Sequence, residues 1–311
     1  MSLAVTSGYY GAGTTDGYKA TAKFIPDIWS GKLQVKFYKS TVLGEITNND
    51  WEGEIKGQGD KVLIRGIPDI AIRNYSKGEN LTKEVPTSTP LELNIDKGKY
   101  FAVVLDDVDK IQADVNLMDM FTNDASEQMK ISVDTDVLDG VKAAMAAANL
   151  GATGGAISGN LNLGTDAAPR ALSKTTVLDF ILDMGQALDE QNVPETGRWM
   201  VVPAWMAALV KGSELRQAYL TGDSTSPLRN GKIGMIDRFT MYVSNSLPRT
   251  GDLDTYVMAG TRDAISFASQ MTQVETIRSE STFGNILRGL NVYGYKVTKP
   301  EALVRGIVVK T

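Results

Sequence analysis

The 311-residue chain contains no cysteine and no histidine. Without cysteine there is no disulfide, no thiolate nucleophile and no Cys-ligated zinc. Without histidine the usual general base near neutral pH and the commonest metal ligand are missing. Ser-His-Asp, Cys-His and His-Glu-x-x-His chemistry are excluded, and no Ser-x-x-Lys dyad occurs. No apolar stretch approaches the roughly 20 residues of a membrane-spanning helix. The opening "MSLAVTSGYYGAGTTDGYKA" has neither a basic leader nor an apolar run, so a cytoplasmic protein with no membrane contact is expected. Positive charge is also short: the formal net charge is −5, a poor balance for reading DNA sequence.

What is present is the balance of a globular protein, 42% apolar and 22% charged, enough for a sizeable core. Residues 1–23, rich in Gly, Ser, Thr and Tyr, read as an irregular arm. In 24–46, Ile25, Trp29, Leu33 and Phe37 recur every four residues and predict one apolar helix face. Residues 51–105 alternate β-branched runs with Gly and Pro, around the polar stretch "YSKGENLTKEVPTST". That pattern predicts a long hairpin with a polar tip. A ribbon of this kind is marginal alone and needs another surface to rest on.

From Asp106 a helical period runs for about forty residues to Met145, with weak helix formers at "ISVDTD" and at Gly140 where a kink could fall. Asp139 and Lys142 are spaced for a same-face ion pair. Beyond "NLGATGGAISGNLNLG" (149–164), Val177, Phe180, Ile181, Met184 and Leu188 form the face of a helix over 175–193. "RWMVV" (198–202) predicts a strand, "PAWMAALVKG" (203–212) a helix and 231–248 a hairpin. Residues 255–260 predict a strand, 261–270 a short helix, 272–297 strands and 301–310 a last strand. The class is α+β with mostly local connections.

The candidates for chemistry are few. The glycine stretch lacks both G-x-x-x-x-G-K-[ST] and G-x-G-x-x-G, and it follows a helix where those templates need a strand. It reads as a flexible loop ending a helix. Asp106, Asp107 and Asp109 could offer carboxylates to Mg²⁺, but acidic residues in a first helical turn answer the macrodipole. Asp134 and Asp136 read as solvent or interface charges, and Asp237-Arg238, Arg278-Glu280 and Lys77-Glu79 as surface pairs. No catalytic residue, metal ligand or cofactor site is assigned.

Four stretches carry a resemblance. "LELNIDKGKYFAVVLDDVDKIQAD" (91–114), "RWMVVPAWMAALVKGSEL" (198–215), "NGKIGMIDRFTMYVSNSLP" (230–248) and "FGNILRGLNVYGYKVTKPEALVRGIV" (283–308) resemble, in order and spacing, the HK97-type major capsid proteins of tailed bacteriophages. The resemblance implies an HK97-type capsid fold: N-terminal arm and first helix (1–50), E-loop hairpin (51–98), P-domain with spine helix and glycine-rich loop (99–172), A-domain (173–290) and a C-terminal strand returning to the P-domain (291–311). It implies a structural, non-enzymatic, self-assembling subunit that forms pentamers and hexamers of an icosahedral shell. Packaged double-stranded DNA would lie inside without sequence-specific contact, and scaffold, portal and cement proteins would be further partners. Assembly would take place in the host bacterial cytoplasm, and the end location would be the virion.

Inter-subunit contacts would fall at Trp29, Phe37, Arg65, Arg73, Tyr75, Lys77, Glu79, Lys83 and Glu84. The capsomer-axis loop would carry Tyr219, Asp223, Ser224 and Arg229. Gly151, Gly154, Gly155 and Gly159 would be hinges between moving domains. Two alternatives stand beside this one. An encapsulin-type bacterial nanocompartment shell shares the fold, though the long E-loop and glycine-rich arm favour the phage. A nucleotide-binding enzyme would use residues 149–164.

Overall fold

The structure is a computed structural model that describes residues 38–50, 61–66, 68, 70–78, 80–87, 90–106, 117–213, 234–251, 254–279 and 283–311. The helix face at Ile25, Trp29, Leu33 and Phe37 lies outside them, as do Glu79 and the loop residues Tyr219, Asp223, Ser224 and Arg229.

The chain opens with the short helix α1 (Leu43–Ile46), then β1 (Lys61–Ile64), β2 (Leu91–Asn94), β3 (Lys97–Asp106) and the long helix α2 (Leu117–Val141). β4 (Arg170–Leu172), α3 (Val177–Glu190), β5 (Arg198–Val202) and α4 (Ala204–Gly212) follow. β6 (Met235–Ile236), β7 (Phe239–Val243), β8 (Arg249–Thr250) and β9 (Asp254–Thr261) lead to β10 (Ile265–Arg278), β11 (Gly284–Val297) and β12 (Leu303–Lys310).

The largest sheet has the order β4-β12-β9-β5-β7-β6, with β8 beside β9. β5 sits inside it, antiparallel to β9 and parallel to β7. All five of its residues are buried, which is why it reads as an unbroken run instead of an alternating strand. α3 lays Val177, Phe180, Ile181, Met184 and Leu188 into this core, all fully buried. Their spacing of three and four places them on one helical face. Each such side chain contributes about 1.5–3 kcal/mol. α2 joins the same core through Val133, Val137, Leu138 and Val141.

A second sheet has the order β10-β11-β3, all antiparallel. Along β3 the burial alternates: Phe101, Val103 and Leu105 turn inward, while Tyr100, Ala102 and Val104 face solvent. The inward face meets α2, where Lys97 and Tyr293 both reach Asp136. The short ribbon β1-β2 buries Val62, Leu93 and Ile95 against Ala268 at one end of the other face.

Several expectations change. The helical pattern from Asp106 becomes two elements, because Asp106 ends β3 and α2 begins, among the described residues, at Leu117. α2 runs 25 residues without a break through "ISVDTD" and Gly140. Tertiary contacts override weak propensity there, since Val133 and Val137 are core residues. Residues 265–270 are strand, not helix, because Ile265 pairs with Val297 and Phe267 with Tyr295 along a long hairpin. Of the predicted hairpin over 51–98, the described paired part is the four-residue base.

The strand pairings divide the C-terminal strands between the two sheets. β11 lies between β10 and β3 in the second sheet, and β12 lies between β4 and β9 in the large one. The last strand thus lies in the large sheet, and the β10-β11 hairpin lies beside β3.

Candidate interaction surfaces and the glycine-rich clasp

Residues 65–90, between β1 and β2, form no strand or helix among those described. The loop holds Ile70, Ile72, Tyr75, Leu81 and Val85 in solvent, with Ile72 93% and Val85 88% exposed. Five exposed large apolar groups on one loop make it a candidate contact surface. Arg65, Tyr75, Lys77 and Lys83 are exposed as well. Glu84 is engaged within the loop: its carboxylate faces Arg73 at 3.5 Å and accepts the Ala71 amide at 2.9 Å. So Arg73 and Glu84, expected to reach another subunit, first brace the loop against itself. A half-exposed pair of this kind is worth about 0–1 kcal/mol.

The solvent face of β3, β11 and β10 is a second surface. Tyr100, Val104 and Leu290 are exposed there, beside an Arg288–Glu275 ion pair. Tyr100, Ala102, Gln273, Glu275, Arg288 and Leu290 line a shallow cavity of ≈ 420 Å³.

The stretch 149–164 is folded into a clasp. Gly154 and Leu161 exchange both backbone hydrogen bonds, at 2.8 and 2.9 Å. Leu161 and Leu163 are buried, and the Leu163 carbonyl accepts the Ile307 amide at 2.8 Å. Asn149, fully buried, donates to the carbonyls of Glu301 and Leu303. The Glu190 carboxylate accepts the amides of Ile157 and Ser158 at 2.8 and 3.0 Å. These amides, the Ser158 one foremost, hold Glu190 down at about 2 against the opposing effect of burial. The backbone donors that a phosphate would need are thus filled by the chain's own carboxylate.

Of the four proposed hinge glycines, Gly154 and Gly155 are packed. A side chain on Gly154 would press on Leu163 and one on Gly155 would meet Ser158 and Glu190. Gly151 and Gly159 have open space around them.

Asp134 and Asp136 are not solvent charges. Asp134 is fully buried on α2 and accepts the amides of Val42 and Leu43 at 3.1 and 3.0 Å. Asp136 takes the Tyr293 hydroxyl at 2.9 Å and Lys97 at 3.4 Å. Burial first, and Asp136 next, push the Tyr293 hydroxyl up. Asp139 and Lys142 do pair, at 2.6 Å.

The pair Asp237-Arg238 turned out to belong to a network. Asp189 bridges buried Arg198 (2.7 Å) and Arg238 (2.8 Å), and Arg238 also reaches Glu195 at 3.0 Å. Arg198 begins an apolar strand and gave no signal of this role beyond being a lone cation in "RWMVV".

Residues 89–306 match a protein family described as phage capsid protein. Among solved structures, one from Mycobacterium phage Che8 is 27% identical, with a TM-score of 0.74 over 93% of this chain and 98% of that one. The capsid of cyanophage P-SCSP1u is 14% identical, with a TM-score of 0.68 over 93% of each chain. The mature capsid of bacteriophage PhiM1 is 15% identical, with a TM-score of 0.63 over 92% of each. No curated protein matches the sequence.

Proposed function

The chain belongs to the phage capsid protein family and is a structural major capsid protein, and from that premise we propose how its subunits join into a shell. Loop 65–90, the E-loop, lies across a neighbouring subunit. The observation that carries this reading is its row of exposed apolar side chains at Ile70, Ile72, Tyr75, Leu81 and Val85. The neighbour's receiving surface is the open face around Tyr100 and Leu290, which presents apolar groups of its own. Subunits joined in this way form pentamers and hexamers of an icosahedral shell around double-stranded DNA.

The strand pairings support a division of labour. α2 with β3, β10 and β11 serves as the P-domain, and the large sheet with α3 and α4 serves as the A-domain. Residues 218–231, with Tyr219, Asp223, Ser224 and Arg229, are assigned to the capsomer axis. Scaffold, portal and cement proteins complete the particle, and assembly takes place in the host cytoplasm.

The absence of cysteine makes the E-loop contact easy to test. A chain carrying Ile72→Cys and Tyr100→Cys is expected to give a ladder of disulfide-linked multimers when assembled particles are oxidised. Each single variant should give no such ladder. Assembled particles in which the double variant links only within one chain, or not at all, would place the E-loop elsewhere.

A further inference from the structure

Residues 38–48 form a strap across the subunit. The Tyr38 hydroxyl donates to Asp124 on α2 at 2.8 Å. The Ser40 carbonyl accepts the Ser244 hydroxyl at 3.1 Å, just past β7. Glu45 accepts the Tyr242 hydroxyl at 3.3 Å, and the Gly44 carbonyl accepts Arg262 at 3.1 Å. Asn48 exchanges backbone hydrogen bonds with Ile265 and Phe267 at the start of β10. The strap therefore touches the long helix and both large sheets.

Its middle hangs on one side chain. Asp134 Oδ1 takes the Val42 and Leu43 amides, while Oδ2 is buried with no hydrogen-bond partner. A buried carboxylate is stabilised when several donors share its charge. Two amides on one oxygen leave the other half of the charge uncompensated. Protonation at Oδ2 would remove the charge and leave Oδ1 free to accept both amides.

We propose that Asp134 is a proton-controlled latch: protonating its carboxyl tightens the docking of strap 38–48 onto α2, and ionising it loosens the strap. Burial holds the Asp134 carboxyl above its ordinary value of 3.8, and the two amides only partly offset this. A carboxyl freed by strap release returns toward the ordinary value. Docking is therefore strongest below the ordinary value and weakens as pH rises through the raised one.

The other charged groups near the strap have partners of their own. On α2, Asp124 holds Tyr38, Glu127 holds Lys130, and Asp136 holds Lys97 and Tyr293. On the strap, Glu45 holds Tyr242, and Lys39 is exposed. Past β9, Arg262 holds the Gly44 carbonyl, and Asp263 faces Lys299.

The test is hydrogen exchange on the full-length, unassembled chain, read on peptides covering 38–48 and corrected for intrinsic rates. Protection is expected to rise several-fold from about pH 7 to about pH 4, with the large sheet unchanged. Asp134→Asn keeps the shape without the charge and should give a profile that is flat across that range. Glu45→Gln and Asp124→Asn alter strap contacts and shift absolute protection, but each should keep the rise between about pH 7 and about pH 4. A flat wild-type profile overturns the latch. So does a pH profile that survives Asp134→Asn, or one that Glu45→Gln or Asp124→Asn abolishes. Should Asp134→Asn fail to fold, the wild-type profile and the two controls decide. The measurement uses single subunits, so its outcome is separate from that of the shell contacts.

Discussion

Ile72→Asp together with Val85→Asp is expected to yield a folded subunit that does not assemble. Both side chains are almost fully exposed in the single chain, so their loss removes no core packing. Exposed substitutions of this kind usually shift stability by no more than about 0.5 kcal/mol. In a shell where the E-loop lies on a neighbour, the same positions become buried. Each lost apolar contact then costs roughly 1.5–3 kcal/mol, and an unpaired carboxylate in an apolar interface adds to that. Two sites together weaken association by on the order of a hundredfold or more. A shell multiplies the effect, because every subunit carries the lesion. Sedimentation checks assembly, and thermal unfolding checks the fold. Normal particles from the double variant would show that the loop makes no contact that matters.

Gly164→Val is expected to destabilise the subunit by about 3 kcal/mol or more. Gly164 has φ +84°, a region that β-branched residues avoid. A Cβ there would overlap the Ile307 carbonyl and sit 2.9 Å from the Arg170 amide nitrogen. Both belong to strands of the large sheet, β12 and β4, so neither yields without breaking the ladder. The strain and the clash add. Gly159→Ala makes the contrast: its φ is +59° but nothing lies within 4 Å, so only the left-handed penalty of about 1–2 kcal/mol applies. Urea unfolding of the two variants separates a clasp from a loose joint. Equal, small losses at both positions would favour the joint.

The sequence made some of this plain and hid the rest for physical reasons. α3 and β5 were legible because their patterns have only one reading: an amphipathic period over 177–188, and an apolar run too short for a helix. The β10 start was misread because "TRDAISFASQ" mixes good helix formers with β-branched residues, and its partner strand decides. The 149–164 loop looked flexible because glycine signals conformational freedom, and sequence does not show that Glu190 and Ile307 tie it down. Asp134 reads as a solvent or interface charge because helical spacing alone does not say which face is covered. The strap that covers it lies 91 residues earlier in the chain. Tyr75, Leu81 and Val85 lie in the stretch that reads as a polar tip and Ile70 and Ile72 in a run that reads as strand, and only the structure shows that Ile72 and Val85 find no core within the subunit.

Electron microscopy of the expressed full-length chain, alone and with a scaffold partner, tests the central claim most directly. The account predicts closed shells of uniform size with five- and six-subunit clusters on their surface. Small uniform oligomers under every condition, with the fold intact, would contradict it.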